Sequence, residues 1–266
     1  MTITTLTYSQ ADGTALSADL FLPDGAGPFP LIVGISGGGW IRGHRGALKP
    51  WGAYFAKAGF AFASVDYRRA APGKPAFPGN AEDIAAALKY FAESGPQYGI
   101  DPQRIAVLGA SAGAHLGALV SLSPEFDGPQ LKGFAGIYGA YDLMEHWQAD
   151  LAVNSVTAPD KTELLLGVKP FADPLLYHRA SPLRQITYGR SMPVFLCWGH
   201  LDRDIAPQQS AAFARALRQA GYPVTAFEMP EAPHLWFSEE GPDVAGSFSA
   251  RLAAPLRLFF QRLFAS

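Results

Sequence analysis

A chain of 266 residues with 48% apolar content has the material for a sizeable core, which excludes intrinsic disorder. Lys and Arg number 21 against 23 Asp and Glu, and a formal net charge of −2 leaves no electrostatic footprint for nucleic acid or an anionic membrane. The single cysteine, Cys197, excludes an internal disulfide and a cysteine-built zinc cage. Met1-Thr2-Ile3-Thr4-Thr5 has neither the basic nor the apolar region of a secretory signal, and no apolar run reaches the ~18 residues of a membrane span. The expectation is one domain over residues 1–266, in the cytoplasm, with no membrane or nucleic-acid partner.

In chain order, Leu6–Tyr8 and Ala15–Leu22 alternate about Asp12-Gly13 and predict an antiparallel hairpin. Beyond the loop Pro23–Pro30 the apolar runs become continuous: Leu31–Ile35, Phe60–Val65, Ile105–Leu108, Phe134–Ile137 and Val194–Cys197. Such runs suit parallel strands covered on both faces. Helical spacing lies between them, in Trp51–Ala58 ending at Gly59, in Ala81–Phe91, and in Gln208–Ala220 ending at Gly221. The chain closes with Leu252–Phe264, apolar on more than one face. Its second face has two open destinations, a partner subunit in a homodimer or the chain's own core. Tyr141–Thr187, with Trp147, Pro159, Pro170, Pro174 and Pro182, breaks the rhythm and predicts an insertion or lid over one end of the sheet. The alternation predicts an α/β fold, a doubly wound, mostly parallel sheet with an antiparallel N-terminal edge.

The strongest chemical signal is Gly109-Ala110-Ser111-Ala112-Gly113, set between the strand Ile105–Leu108 and the apolar stretch Ala114–Leu122. G-x-S-x-G in that setting is a nucleophile elbow, where a sharp strand-to-helix turn projects the hydroxyl and small neighbours let the chain pass. A serine needs a base, and the base an orienting carboxylate, in the chain order Ser, acid, His. His234 follows the strand-like Val224–Met229 and is the expected base; His115, His146, His178 and His200 read as packed or solvent-facing rings. After Val194–Cys197 two carboxylates compete. Asp202 is the expected orienter, and Asp204 is expected to pair with Arg203 or Arg215 or to face solvent. Cys197 reads as a small buried hydrophobe. Ser36-Gly37-Gly38-Gly39-Trp40 follows Leu31–Ile35, and its glycines can turn backbone N–H groups to one point, with Ala112, as an oxyanion hole.

These residues resemble an α/β-hydrolase esterase of the feruloyl/acetyl-xylan-esterase-like group, close to the hormone-sensitive-lipase-like carboxylesterases. The resemblance spans about residues 15–240. It rests on Ser36–Trp40 at the family's HGGGW, on Ser64-Val65-Asp66-Tyr67-Arg68, and on Phe77-Pro78 with Asp83. Tyr98-Gly99-Ile100-Asp101-Pro102 leading to the elbow, Ala180-Ser181-Pro182, and the segments around Asp202 and His234 complete it. It implies an eight-stranded α/β-hydrolase fold with Ser111 as nucleophile, His234 as base, Asp202 as orienter, and Gly38, Gly39 and Ala112 as the oxyanion hole. Asp66, Arg68 and Asp83 look structural. Two positions depart from the pattern: Ser36 replaces the histidine that braces the family's oxyanion loop, and Pro207 comes one residue late after Asp202.

The expected activity is hydrolysis of a small carboxylic ester through an acyl-enzyme, without metal or organic cofactor. The absence of a large cap suits a short-to-medium acyl group. Trp40 and Trp236 are the expected substrate walls, with Trp147 and Phe237 as further candidates. The rival readings are an arylformamidase-like hydrolase of amides, formamides or lactones, and a non-catalytic binding protein on this scaffold.

Overall fold

The computed structural model describes residues 1–153, 160–188 and 192–265. β1 (Thr2–Ala11) and β2 (Thr14–Leu22) make the expected hairpin. Its turn residues Asp12 and Gly13 have φ of 50° and 75°, both left-handed, the backbone sense that matches the twist of paired strands. The chain continues through β3 (Phe29–Ile35), α1 (Lys49–Lys57), β4 (Ala61–Val65), α2 (Gly79–Ser94), β5 (Ile100–Ala110), α3 (Ala112–Leu122) and β6 (Phe134–Ile137). After α4 (Leu143–Val153), α5 (Lys161–Leu166) and α6 (Pro174–Arg179) come β7 (Val194–Gly199), α7 (Pro207–Gln219), β8 (Val224–Met229), α8 (Trp236–Glu239) and α9 (Phe248–Ala265).

Among the described residues the strands form one eight-stranded sheet in the order β1-β2-β4-β3-β5-β6-β7-β8. β1 and β2 run antiparallel to their neighbours, and every later pairing is parallel. Alternate residues of β3 face opposite layers. Leu31, Val33 and Ile35 join the buried layer that holds Ile84, Leu88, Leu116 and Phe213, whereas Ile32 joins the layer that holds Trp51, Phe55, Leu256 and Phe260. Each large side chain so buried contributes about 1.5–3 kcal/mol, and coverage on both faces is why these strands read as unbroken apolar runs. α3 is buried along its whole length, so no polar face marks its period in the sequence. α9 places Leu252, Leu256, Phe260 and Leu263 in the core and leaves Leu258 exposed.

β5 is longer than the sequence suggests, because the strand reaches back through Pro102 to Ile100, opposite Phe29. The described residues between β6 and β7 include three helices, α4, α5 and α6. Asp160 caps α5 by accepting from the amides of Thr162 and Glu163, and Asp173 caps α6 by accepting from Leu176 N–H. Such caps are worth about 1 kcal/mol each and let single turns form in a proline-rich stretch. Residues 154–159 of this segment lie outside the described residues.

Because β3 and β5–β8 are parallel, their carboxyl ends share one edge of the sheet, the usual place for a ligand in such folds. The loops that leave this edge carry Ser36–Trp40, Ser111, Tyr138, Asp202 and His234.

Candidate active site

Ser111 sits between β5 and α3 with φ 54° and ψ −122°, a region L-residues seldom occupy. The turn closes only because its flanks lack side chains. A Cβ on Gly109 would lie 2.2 Å from the Gly113 carbonyl oxygen, and one on Gly113 would lie 2.1 Å from that of Ile35. The Ser111 amide donates to Ile137 O at 2.9 Å, which ties the elbow to β6.

The three expected residues meet. His234 Nε2 is 2.9 Å from Ser111 Oγ, and its Nδ1 is 2.6 Å from Asp202 Oδ2. The carboxylate accepts only, so Nδ1 carries the proton and Nε2 is free to accept from the serine hydroxyl. The other oxygen of Asp202 accepts the amides of Asp204 and Ile205 at 3.0 and 2.9 Å, which holds the carboxylate in place. Between the two competing aspartates the geometry selects Asp202. Asp204 is half-exposed, in keeping with the solvent-facing alternative, and lies 3.8 Å from Lys161 rather than beside Arg203 or Arg215.

A small cavity of about 70 Å³ lies against this group, lined by Ser111, His234, Gly38, Gly39, Ala112 and Trp40 on one side. His146 and Lys161, both from the segment between β6 and β7, line it with Arg42, Asp204, Ile205 and Leu235. The amides of Gly38, Gly39 and Ala112 have no acceptor among the described residues, so three free donors border the space beside Ser111. Gly37 lets the loop approach, since a Cβ there would come within 2.9 Å of Ser111 Cβ. The stem of Lys161 covers Gly39.

Of the four aromatic walls expected, only Trp40 reaches the cavity. Trp236 is a correction: it does not border this cavity and packs on Tyr138, Phe237 and Phe248 in the core. Phe237 stacks on Trp51 at 4.3 Å, and Trp147 donates to Glu163 Oε1 beneath Phe171. Asp66 pairs with Arg45, and Arg68 makes a forked bond to Asp83, consistent with structural roles. Cys197 is buried in β7, and burial pushes its thiol far above the ordinary range. A larger groove of about 610 Å³ has its Arg45, Arg68 and Lys74 paired with Asp19, Asp66, Asp83 and Asp12.

Tyr138 escaped the sequence reading, and His146 and His115, read there as packed or solvent-facing rings, lie beside the site. The Tyr138 ring lies 4.4 Å from that of His234, and its hydroxyl accepts Phe237 N–H. Its position directly after β6, on the edge that carries Ser111, was the available signal. His146 is buried, with its ring edge-on to Trp40 at 6.1 Å, and burial holds it neutral with a pKa of about 4. His115 is a packed ring as expected, but it accepts from Trp40 Nε1 at 3.1 Å and lies 2.7 Å from Ala180 O. Burial lowers its pKa to about 4 as well.

The BD-FAE family model matches residues 18–217. Esterase LipQ of Mycobacterium tuberculosis is 28% identical over 236 residues, 85% of this chain and 53% of its own length. A probable isoprenylcysteine alpha-carbonyl methylesterase, ICMEL1 of Oryza sativa subsp. japonica, is 31% identical over 223 residues, 76% of this chain and 50% of its own. The chain thus spans about half the length of the curated relatives it matches. Among solved structures, the esterase Est2 of Thermogutta terrifontis superposes with a TM-score of 0.78 at 21% identity, covering 97% of this chain and 91% of that one. An acetyl ester-xyloside bifunctional hydrolase of Caldicellulosiruptor lactoaceticus reaches 0.81 at 20% identity, covering 98% and 96%. The sheet order, the strand-end edge and these superpositions identify the α/β-hydrolase fold, and with its family model matched across most of its length, this chain belongs to the BD-FAE family.

Proposed function

We propose that this protein is a serine carboxylesterase that hydrolyses a small carboxylic ester through an acyl-enzyme. The observation that carries the reading is the unbroken line from Asp202 through His234 to Ser111 Oγ, beside three free amides. Relatives named as esterases support the same chemistry.

In the first half-reaction Ser111 Oγ attacks the ester carbonyl carbon while its proton passes to His234 Nε2. The carbonyl oxygen becomes an oxyanion and accepts from Gly38, Gly39 and Ala112, each such donor being worth about 10²–10³ in rate. Asp202 steadies the imidazolium through Nδ1, and the Tyr138 ring beside it adds a favourable face. The tetrahedral centre then collapses, the bond to the leaving oxygen breaks, and His234 returns the proton to the alcohol. Water repeats the sequence on the acyl-Ser111 carbonyl and releases the acid. The cavity, about 70 Å³ in volume, has room for a short acyl chain.

The test is hydrolysis of p-nitrophenyl esters from acetate to dodecanoate, with Ser111→Ala as the reference and a matched amide series alongside. The expected profile peaks at a short acyl chain and disappears in the variant. Turnover of amides with none of esters, or equal ester turnover in clean Ser111→Ala protein, overturns the assignment.

A further inference from the structure

The oxyanion loop is held by an unusual route. Gly38, Gly39 and Trp40 have φ of 124°, 58° and 61°, three successive residues in the left-handed region, and for tryptophan that backbone is strained. Ser36, standing where the resembling family has a bracing histidine, is fully buried with an unpartnered Oγ, so its side chain braces nothing. Two backbone amide sets and one hydroxyl fix the loop's carbonyls: Gly38 O accepts from Ile41 and Arg42 N–H, Trp40 O from Ala70 N–H, and Ser36 O from the Tyr67 hydroxyl. None of these engages the free N–H groups or reaches the nucleophile helix.

One side chain does make that connection. The Trp40 indole is 1% exposed and lies edge-on to the His115 ring at 5.3 Å, with Nε1–H donated to His115 Nδ1. An indole nitrogen only donates, so Nδ1 must present its lone pair. The proton therefore sits on Nε2, which donates to Ala180 O in the segment between β6 and β7. His115 lies one turn into α3, the helix that begins with Ala112 and follows Ser111.

We propose that His115 is a positioning residue for the oxyanion hole, tying Trp40 and the amides of Gly38 and Gly39 to the helix that carries the nucleophile and the third amide. It supplies a brace that the Ser36 side chain does not. The inference rests on the serine-hydrolase reading of Ser111. With the tie intact, the three donors keep one spacing relative to Ser111 Oγ. Without it, the Trp40 backbone is free to relax out of the left-handed region, and the Gly38 and Gly39 amides turn away from the developing oxyanion.

The experiment compares Trp40→Phe, His115→Leu, their double variant and His115→Asn with the wild type. Trp40→Phe keeps a ring but removes the donor, and the amide of His115→Asn restores an acceptor near Nδ1. Active sites are counted by titration, and kcat and KM are measured on p-nitrophenyl acetate. The rate constant for fluorophosphonate labelling of Ser111 is measured as well, because the phosphoryl oxygen enters the same hole. Both single removals are expected to lower kcat and the labelling rate about tenfold or more, with KM within about threefold. The double variant is expected to be no worse than the poorer single one, and His115→Asn to recover most of the loss. A structural role alone would lower the melting temperature and the titrated fraction but leave the rate per site unchanged. Rates per titrated site within about twofold of wild type in Trp40→Phe, or losses that simply multiply in the double variant, overturn the proposal. If esters are not turned over while labelling proceeds, the ester reading fails and the labelling rates still decide the role of His115. If His115→Leu does not fold, Trp40→Phe and His115→Asn decide it.

Discussion

Two regions place non-glycine residues at positive φ, for opposite reasons. In the hairpin turn Asp12 has φ 50° beside Gly13, both exposed, and that backbone is what a two-residue turn requires. At the carboxyl edge of the sheet Trp40, Ser111, Tyr138 and Leu235 have φ of 61°, 54°, 40° and 72°. None of these is a residue that tolerates such backbone for its own sake. Each is anchored or adjoins an anchor: Trp40 on His115, Ser111 on Ile137 O, Tyr138 on Phe237 N–H, and Leu235 next to the hydrogen-bonded His234. Strain persists where surrounding contacts over-determine the backbone, and here it gathers where Ser111, His234 and the free amides converge.

That contrast can be broken at either region. The largest effect is expected from Ser111→Gly, which removes the nucleophile and also suits the φ 54° backbone. Turnover should fall at least about 10³-fold while the melting temperature does not fall; a clear drop would mean that the elbow stores no strain. Asp202→Asn should cost roughly 10³–10⁴ in kcat by presenting the wrong group to Nδ1, whereas Asp204→Asn should stay within a few-fold. Equal losses would reverse the assignment of the acid. Tyr138→Leu, which removes the ring beside His234, should lower kcat about tenfold, read in pre-steady-state acylation rates.

Smaller effects separate stability from activity. His115 and His146 are held near pKa 4 by burial, below the unfolded value of about 6.5. Between those values the unfolded chain binds protons that the native one refuses. Stability should therefore fall as pH drops from about 6.5 towards 4, each imidazole weakening the folding equilibrium by up to about tenfold per pH unit. Urea midpoints at pH 7 and pH 5 measure this, and His146→Gln should flatten the slope. The smallest change is Gly13→Ala in the hairpin turn, where a Cβ meets nothing within 4 Å and only the φ of 75° resists. It should cost about 1 kcal/mol and leave kcat untouched.

Much of this protein is legible without coordinates. The elbow is readable because its requirement is local: Gly109 and Gly113 lie within two residues of Ser111, and any Cβ there collides with the turn itself or with β3. The continuous runs along β3 and β5 announce a sheet covered on both faces, and chain order then narrows the acid to Asp202 or Asp204, ahead of His234. The aromatic walls were not legible. Trp40 and Trp236 both follow strand ends, and the sequence does not distinguish a residue that borders the cavity from one packed away from it. Trp51 reaches Phe237 across 186 positions of sequence, and that distant packing turns α8 and its Trp236 inward. His115 likewise became more than a packed ring only when Trp40, from 75 residues away, presented its N–H to it. Sequence alone determined the strands, the elbow and the order of the chemistry, because these depend on contacts within a few residues. Tertiary structure decided which ring borders the cavity, which aspartate meets the imidazole, and which side chain Trp40 meets, because those contacts join segments that no local pattern connects.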